Sequence, residues 1–272
     1  MKIYAVLLAA GIGSRTGFSI PKQLVKIKNK EIILHSLDIF LNSKINFDAV
    51  IITVPPASVF DFNWGAFFKE NLSGEKNKKL KVTTGGESRQ QSVYNAVKYL
   101  ENIYISKEEA ENAVVFIHDS ARPFVTDKEL SLLLDKTAEH GAAFLCSGVT
   151  ETVKEICDKG IITDGIDRMG IADAGGIAKS GMETANPAKF KTLRRKNLIS
   201  AKTPQTFKFE IIKRALYKAA EENFISTDDV SLVENLGLTA AAVKSTDLNV
   251  KITSALDIEI AELFLEKFKE IR

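Results

Sequence analysis

Residues 3–10, IYAVLLAA, are wholly apolar, and the run is only long enough for a strand. A strand without polar alternation has to be covered on both faces, which places it inside a parallel sheet flanked by helices. The run breaks into GIGSRTGFSIPKQ, a glycine-rich loop with Arg15 and Lys22 and no acidic residue. Gly11 and Gly13 let the backbone turn sharply and bring its amides close to a ligand. Arg15 and Lys22 add formal positive charge. A strand that ends in bare amides and two cations is a place to hold phosphates.

The familiar phosphate loops do not fit. No Gly-Lys-Ser/Thr follows at the spacing of a Walker A loop. Gly11, Gly13 and Gly17 run G-x-G-x-x-x-G, one residue too long for a dinucleotide fingerprint, and the next apolar run ends in Val54-Pro55 without a ribose-binding acid. A secretory leader is not expected, because the apolar run is only about as long as the shortest signal cores and no clear mature N-terminus follows it. A plain tight turn with two solvated cations remains open from this stretch alone.

The rest of the chain alternates strand and helix. Strand patterns are read at 2–9, 48–54, 80–84, 113–118, 142–149, 239–245 and 249–253. Helical patterns lie near 30–43, 58–71, 89–102, 126–139, 207–223, 227–236 and 255–271. Ser226-Thr-Asp-Asp229 and Ser254-Ala-Leu-Asp257 suit helix starts, and Gly237 suits a helix stop. Such alternation predicts crossovers and a mostly parallel sheet, with ligands bound at the carboxyl ends of the strands near a switch in strand order.

With 37 basic and 35 acidic residues interspersed, a formal charge of +2 argues against a nucleic-acid or membrane-surface protein. Cys146 and Cys157 have no metal-ligand spacing with the three histidines, so both are expected to be reduced, in a cytoplasmic protein. One domain of 272 residues is expected, interrupted at about 150–200 by an excursion. There the chain spends six of its sixteen glycines between Gly160 and Gly181, then runs through the cation-rich NPAKFKTLRRKN. That stretch reads as an arm, lid or flexible loop rather than a buried element.

Residues just after the predicted strands carry the charge. GGESRQQSV follows strand 80–84: Gly85 and Gly86 permit close approach, and Arg89 and Ser92 fall in the first turns of a helix. An ordinary strand-to-helix turn with a solvated arginine is the alternative. HDSARPF follows strand 113–118, with Asp119 placed to hold Mg²⁺ against phosphate oxygens and Arg122 beside it. Asp119 could instead be an N-cap, and His118 reads as a satisfied core histidine. Lys251 lies in the apolar NVKITS, either facing a cleft or on an edge strand. Together Arg15, Lys22, Arg89, Arg122 and Lys251 gather at one sheet edge around a lone aspartate, a polyanion site with room for a metal. No serine or cysteine has an adjacent base in a recognisable catalytic arrangement. A phosphate monoester is already anionic at neutral pH, so it could attack a nucleoside triphosphate with positioning and charge neutralisation alone.

LLAAGIGSR…PKQ, GGESRQQSV, HDSARPF, TVK, KTPQTF, TDDVSLVE and NVKIT occur in this order across nearly the whole chain. The ordered set resembles the 2-C-methyl-D-erythritol 4-phosphate cytidylyltransferase family. The resemblance implies a three-layer Rossmann-like α/β nucleotidyltransferase fold with a mixed, mostly parallel sheet and a protruding dimerisation arm. It implies a homodimer that transfers CMP from CTP to methylerythritol phosphate with Mg²⁺, releasing pyrophosphate. It further implies that Ala9, Ala10, Gly11, Ile12 and Gly13, with Gly86, Glu87, Arg89, Ser92 and Ser120, bind the nucleotide. Arg15, Lys22 and Lys251 would stabilise charge on the phosphates, Asp119 would serve the metal and acceptor side, and Arg122, Thr152 and Arg195 would bind the acceptor. The glycine-rich segment between Lys154 and Arg195 is longer than the resemblance leads one to expect. A cytidylyltransferase for ribitol 5-phosphate or another polyol phosphate, and a non-catalytic nucleotide-binding homologue, stay open at this point. No fused downstream cyclase domain is expected.

Overall fold

The structure is a computed structural model that describes residues 1–11, 20–157 and 189–271. Two compact units are formed, one by residues 1–147 with 201–272 and the other by 148–200. Ile12, Gly13 and Arg15, and the glycine-rich 160–181 stretch, lie outside the described residues.

The first unit is organised by a seven-stranded sheet: β1 (Ile3–Leu8), β2 (Ala49–Val54), β3 (Leu80–Thr84), β4 (Val114–Asp119), β5 (Ala142–Gly148), β6 (Ile199–Lys208) and β7 (Ala241–Lys244). Their order across the sheet is β7-β5-β6-β4-β1-β2-β3. β1 lies parallel to both β2 and β4, β2 to β3, and β5 to β7, while β6 runs antiparallel to β4. The sheet is therefore mixed and mostly parallel. The chain winds outward from β1 through β2 to β3, then returns to β1's other side as β4. That reversal opens a crevice at the carboxyl ends of β1 and β4.

The apolar runs divide between the two faces as a pleat requires. On one face Ala5, Leu7, Ile52 and Phe116 pack with Leu37, Phe40 and Phe68 of the covering helices. On the other, Tyr4, Val6, Ile51 and Ile117 pack with Val93, Val97, Ile212 and Leu216. A third, smaller core joins Ile27, Ile32 and Phe124 to Ile252 and to Ala261, Leu265 and Phe268 of the last helix, Ala255–Ile271.

Two predicted elements differ. Residues 249–253 form no strand; they meet the loop after β4 through one backbone bond from Ile252 to Ala121 O (2.9 Å) and through burial of Ile252. Conversely, ISAKTPQTFK is a strand, β6, although a lysine and a proline interrupt its pattern. Its inner half, Thr203–Phe207, is buried between β5 and β4, so tertiary packing overrides local propensity. The helix expected at 58–71 begins only at Trp64, capped by Asn63. The Ser254–Asp257 start is a reciprocal cap: the Asp257 carboxylate accepts from Ser254 N (2.8 Å), and Asp257 N donates to Ser254 Oγ (3.3 Å). Among the described residues no helix is long and apolar enough to cross a membrane.

In the second unit Lys154–Ile156 pairs antiparallel with Phe190–Thr192. Its strand residues are all exposed, including the cross-strand neighbours Ile156 (54%) and Phe190 (53%).

Candidate active site

The crevice at the switch point is a cleft of about 320 Å³. Its walls are the ends of three strands and the loops that leave them: Ala9, Ala10 and Gly11 after β1, Gly86, Glu87, Arg89 and Ser92 after β3, and Asp119 and Ser120 after β4. Lys22 and Lys251 complete it. Eleven of the sequence-predicted residues thus share one cavity.

Backbone bonds that continue the sheet past its strand ends hold these loops. Ala9 N donates to Thr53 O (2.9 Å), Gly85 N to Val54 O (2.9 Å) and Ser120 N to Leu8 O (3.0 Å). Gly85 has a steric reason to be glycine, since a Cβ there would stand 2.3 Å from the Ala10 Cβ. The loops after β1 and β3 can therefore touch. Ser92 is spent on this architecture: its hydroxyl accepts from Gly86 N (3.0 Å) and donates to Ser88 O (2.9 Å). Lys22 lies in a short 3-10 turn, and its ammonium donates to Ile252 O (3.3 Å). The next residue, Gln23, is buried and donates to Ala9 O (2.8 Å), tying the lysine turn to the end of β1.

The charges pair in a way the sequence reading did not contain. Asp119 accepts from Arg89 Nε (3.2 Å) and from Lys251 Nζ (2.7 Å). Arg89 also makes a two-pronged contact, Nη1 and Nη2 to the two oxygens of Asp229 at 2.9 and 2.7 Å. Asp119 is therefore not a lone aspartate. Burial alone would raise its pKa, but Arg89 and Lys251 prevail and hold the carboxyl far below its ordinary value. Asp229 is fully buried, and that burial pushes its carboxyl upward against the pull of Arg89.

Asp119 does not cap a helix; the cap after β4 is Thr126, in a full capping box with Glu129. Its neighbour His118 is a core histidine, as expected. Nε2 lies 2.9 Å from Arg122 O, and Nδ1 lies 3.0 Å from Thr203 Oγ1. Thr203 Oγ1 accepts from Asp119 N (3.1 Å), so its own hydrogen points at Nδ1 and the ring carries its proton on Nε2. Burial lowers the imidazole to about 4, leaving it neutral.

Arg122 does not line the cleft. Its Nη1 donates to Asn249 O (3.2 Å), and its buried Nε has no partner. Burial pulls the guanidinium below its usual value. Asn249 is fully buried and donates to Thr203 O (3.1 Å), so β6, the loop after β4 and the segment leading to Lys251 are knotted together. Thr152 and Arg195 belong to the second unit, both exposed, with Arg195 Nη1 donating to Thr150 O (2.6 Å). Sequence reasoning missed Gln23, Thr203, Asp229 and Asn249. All four sit inside motifs already singled out, but polar residues there gave no sign of being buried.

Among the described residues no three His, Cys, Asp or Glu side chains gather to cage a metal. An ionised single carboxylate on a cleft wall, Asp119, still suits a Mg²⁺ ion that arrives with phosphate oxygens.

Comparison with known proteins places the chain. The family model described as IspD, 2-C-methyl-D-erythritol 4-phosphate cytidylyltransferase, matches residues 3–176 and 180–267. A curated protein of that name from Clostridioides difficile is 32% identical over 269 residues, spanning 98% of this chain and 95% of its own. One from Shouchella clausii is 34% identical, spanning 98% of both. The solved structure of the Francisella tularensis enzyme superposes with a TM-score of 0.69 at 28% identity, over 97% of this chain and 99% of that one. With its nucleotidyltransferase fold, its ordered motifs and these matches, the chain belongs to the 2-C-methyl-D-erythritol 4-phosphate cytidylyltransferase family.

Proposed function

We propose that this chain transfers CMP from CTP to 2-C-methyl-D-erythritol 4-phosphate, giving CDP-methylerythritol and pyrophosphate. An oxygen of the acceptor's phosphate attacks the α-phosphorus in line. A new P–O bond forms there, and the bond to the α–β bridging oxygen breaks, its electron pair leaving with pyrophosphate. No general base is required, because the attacking phosphate is already anionic. The observation that carries this reading is the convergence of loop backbone, Lys22, Lys251 and Asp119 on one cleft in a chain of this family.

The roles follow from charge. The backbone of Ala9, Ala10 and Gly11, continued by Ile12 and Gly13, seats the nucleotide with Gly86, Glu87 and Ser120. Lys22 and Lys251, with Arg15, stabilise the negative charge that grows as pyrophosphate departs. Asp119 would hold Mg²⁺, which when bound neutralises phosphate charge and aligns the oxygens around the α-phosphorus. Thr152 and Arg195 bind the acceptor, while Arg122, off the cleft and bonded to Asn249 O, supports the segment that leads to Lys251. Residues 148–200 form the arm of a homodimer, a reading supported by the exposed Ile156–Phe190 pair, an apolar surface suited to a second copy. The setting is the cytoplasm.

The test is pyrophosphate release with Mg²⁺, crossing the four nucleoside triphosphates with methylerythritol phosphate and ribitol phosphate. Release is expected only with CTP and methylerythritol phosphate. Release with CTP and ribitol phosphate alone would reassign the acceptor, and silence throughout would leave a binding protein.

A further inference from the structure

We propose that Asp229 and Arg89 are positioning residues: the buried Asp229 carboxylate fixes the Arg89 fork, and Arg89 in turn sets Asp119 and Lys251 against the nucleotide's phosphates. The proposal rests on the cytidylyltransferase reading for its ligand and on geometry for everything else.

Arg89 stands in the first turn of the helix Arg89–Ile103, where the helix dipole disfavours a cation. It is tolerated because two carboxylates meet it. Three of its five N–H donors are committed to Asp229 and Asp119 at 2.7–3.2 Å. The four groups Asp229, Arg89, Asp119 and Lys251 form one chain of alternating charge that sums to zero. Arg89 therefore brings no net charge to a triphosphate, although it lines the cleft. Its work is to hold Asp119 by one oxygen, leaving the other for Lys251 at 2.7 Å.

Asp229 is placed deliberately at the far end. Its neighbour Asp228 takes the cap of the short helix Asp229–Glu234, accepting from Ser231 N (3.0 Å), which frees Asp229 to point inward. Gln205 of β6 then clamps that helix start: its Oε1 accepts from Asp229 N (2.9 Å) and Val230 N (3.0 Å), and its Nε2 donates to Asp228 (2.9 Å). A fully buried carboxylate is costly unless paired, and in these bonds its side chain serves only Arg89. Neutralise it, and Asp119 is the one carboxylate left to the fork. Asp119 would then be drawn to Arg89 and Lys251 released.

The test uses the full-length protein and the near-isosteric Asp229→Asn, with Arg89→Lys as a second variant that keeps the charge and loses the fork. The first readout is the ligand-free crystal structure of Asp229→Asn. Arg89 is expected to have turned both prongs onto Asp119, and Lys251 to have left its contact. An unchanged Asp119–Lys251 contact overturns the proposal whether or not any nucleotide binds. The second readout is CTP binding by calorimetry with Mg²⁺, in a cycle of Asp229→Asn, Lys251→Ala and both together. Each single change is expected to weaken CTP by roughly tenfold, and the double variant to bind no worse than Lys251→Ala alone. Effects that multiply independently would make Asp229 a mere structural residue and overturn the proposal. Wild-type protein that binds no CTP would instead sink the functional reading, with the crystal structure still deciding the relay. Arg89→Lys, lacking the fork, should likewise lose the Asp119–Lys251 contact and weaken CTP by roughly tenfold; wild-type behaviour in both would show the fork to be dispensable and overturn the proposal.

Discussion

The cleft and the exposed hairpin of Lys154–Ile156 with Phe190–Thr192 both lie near motifs that point to substrate, yet they are built on opposite terms. In the cleft the polar groups are tied in buried or half-buried pairs: Lys22 to Ile252, Gln23 to Ala9, Arg89 to Asp119 and Asp229, Lys251 to Asp119. In the hairpin the ties are solvent-exposed: Lys154 to Thr192, Glu155 to Lys191, Arg195 to Thr150. Exposed pairs of that kind contribute about 0–1 kcal/mol each. A preorganised nucleotide site needs no reordering when charge develops.

The sharpest way to break this contrast is at Lys22. Lys22→Ala should lower kcat by roughly two to three orders of magnitude while weakening CTP binding far less, because its charge matters most as pyrophosphate leaves. Pyrophosphate release and calorimetry measure the two separately. A fall in affinity equal to the fall in kcat/KM, with kcat unchanged, would make Lys22 a mere binding contact.

Next comes the core directly behind the cleft. His118 is held near a pKa of 4, below its ordinary 6.5, so the fold favours the neutral ring. That contribution is complete above the unfolded value and is withdrawn as pH falls from about 6.5 to about 4. At ~1.4 kcal/mol per unit the difference is about 3 kcal/mol. Urea unfolding across this range should show the loss, and His118→Gln should flatten it. An equal slope in the variant would place the acid sensitivity elsewhere.

A comparable stability loss is expected of Ile252→Ala, about 2–4 kcal/mol, because the side chain is buried against the last helix. CTP affinity should fall with it, since the neighbouring Lys251 loses its anchor. Stability lost without affinity would separate the third core from the site.

The smallest thermodynamic effect belongs to the hairpin. Arg195→Ala should change stability by less than about 0.5 kcal/mol and raise the acceptor's KM more than that of CTP. The reverse pattern in steady-state kinetics would remove Arg195 from the acceptor site.

How much of this was legible depended on where a residue's partners lie. β1 and β4 announce themselves because strands covered on both faces must be apolar throughout, and the loops that follow them carry the cleft. β6 was hidden because Thr203 and Gln205 are buried polar side chains whose partners, His118 and Asp228, come from elsewhere in the chain, with Thr206 buried beside Gln205. NVKIT looks like a strand because Val250 and Ile252 alternate with Lys251, but what Ile252 satisfies is a helix core, not a sheet. In Thr227-Asp228-Asp229 the cap was foreseeable, whereas which of two adjacent carboxylates turns inward depends on Arg89, 140 residues away. Local chemistry writes strands and caps into short windows; long-range pairing leaves no such mark.

The third core also sets an order of assembly during synthesis. A ribosome that has released residues up to about 245 has exposed all seven strands of the sheet and most of the cleft wall. Lys251 and the segment that receives Lys22 are still to come, as are Ala261, Leu265 and Phe268, which seat that segment. The emerging chain can thus close its sheet before it holds the last cation of the proposed nucleotide site. On that reading, binding competence waits for the last helix, as a late event in the life of each molecule.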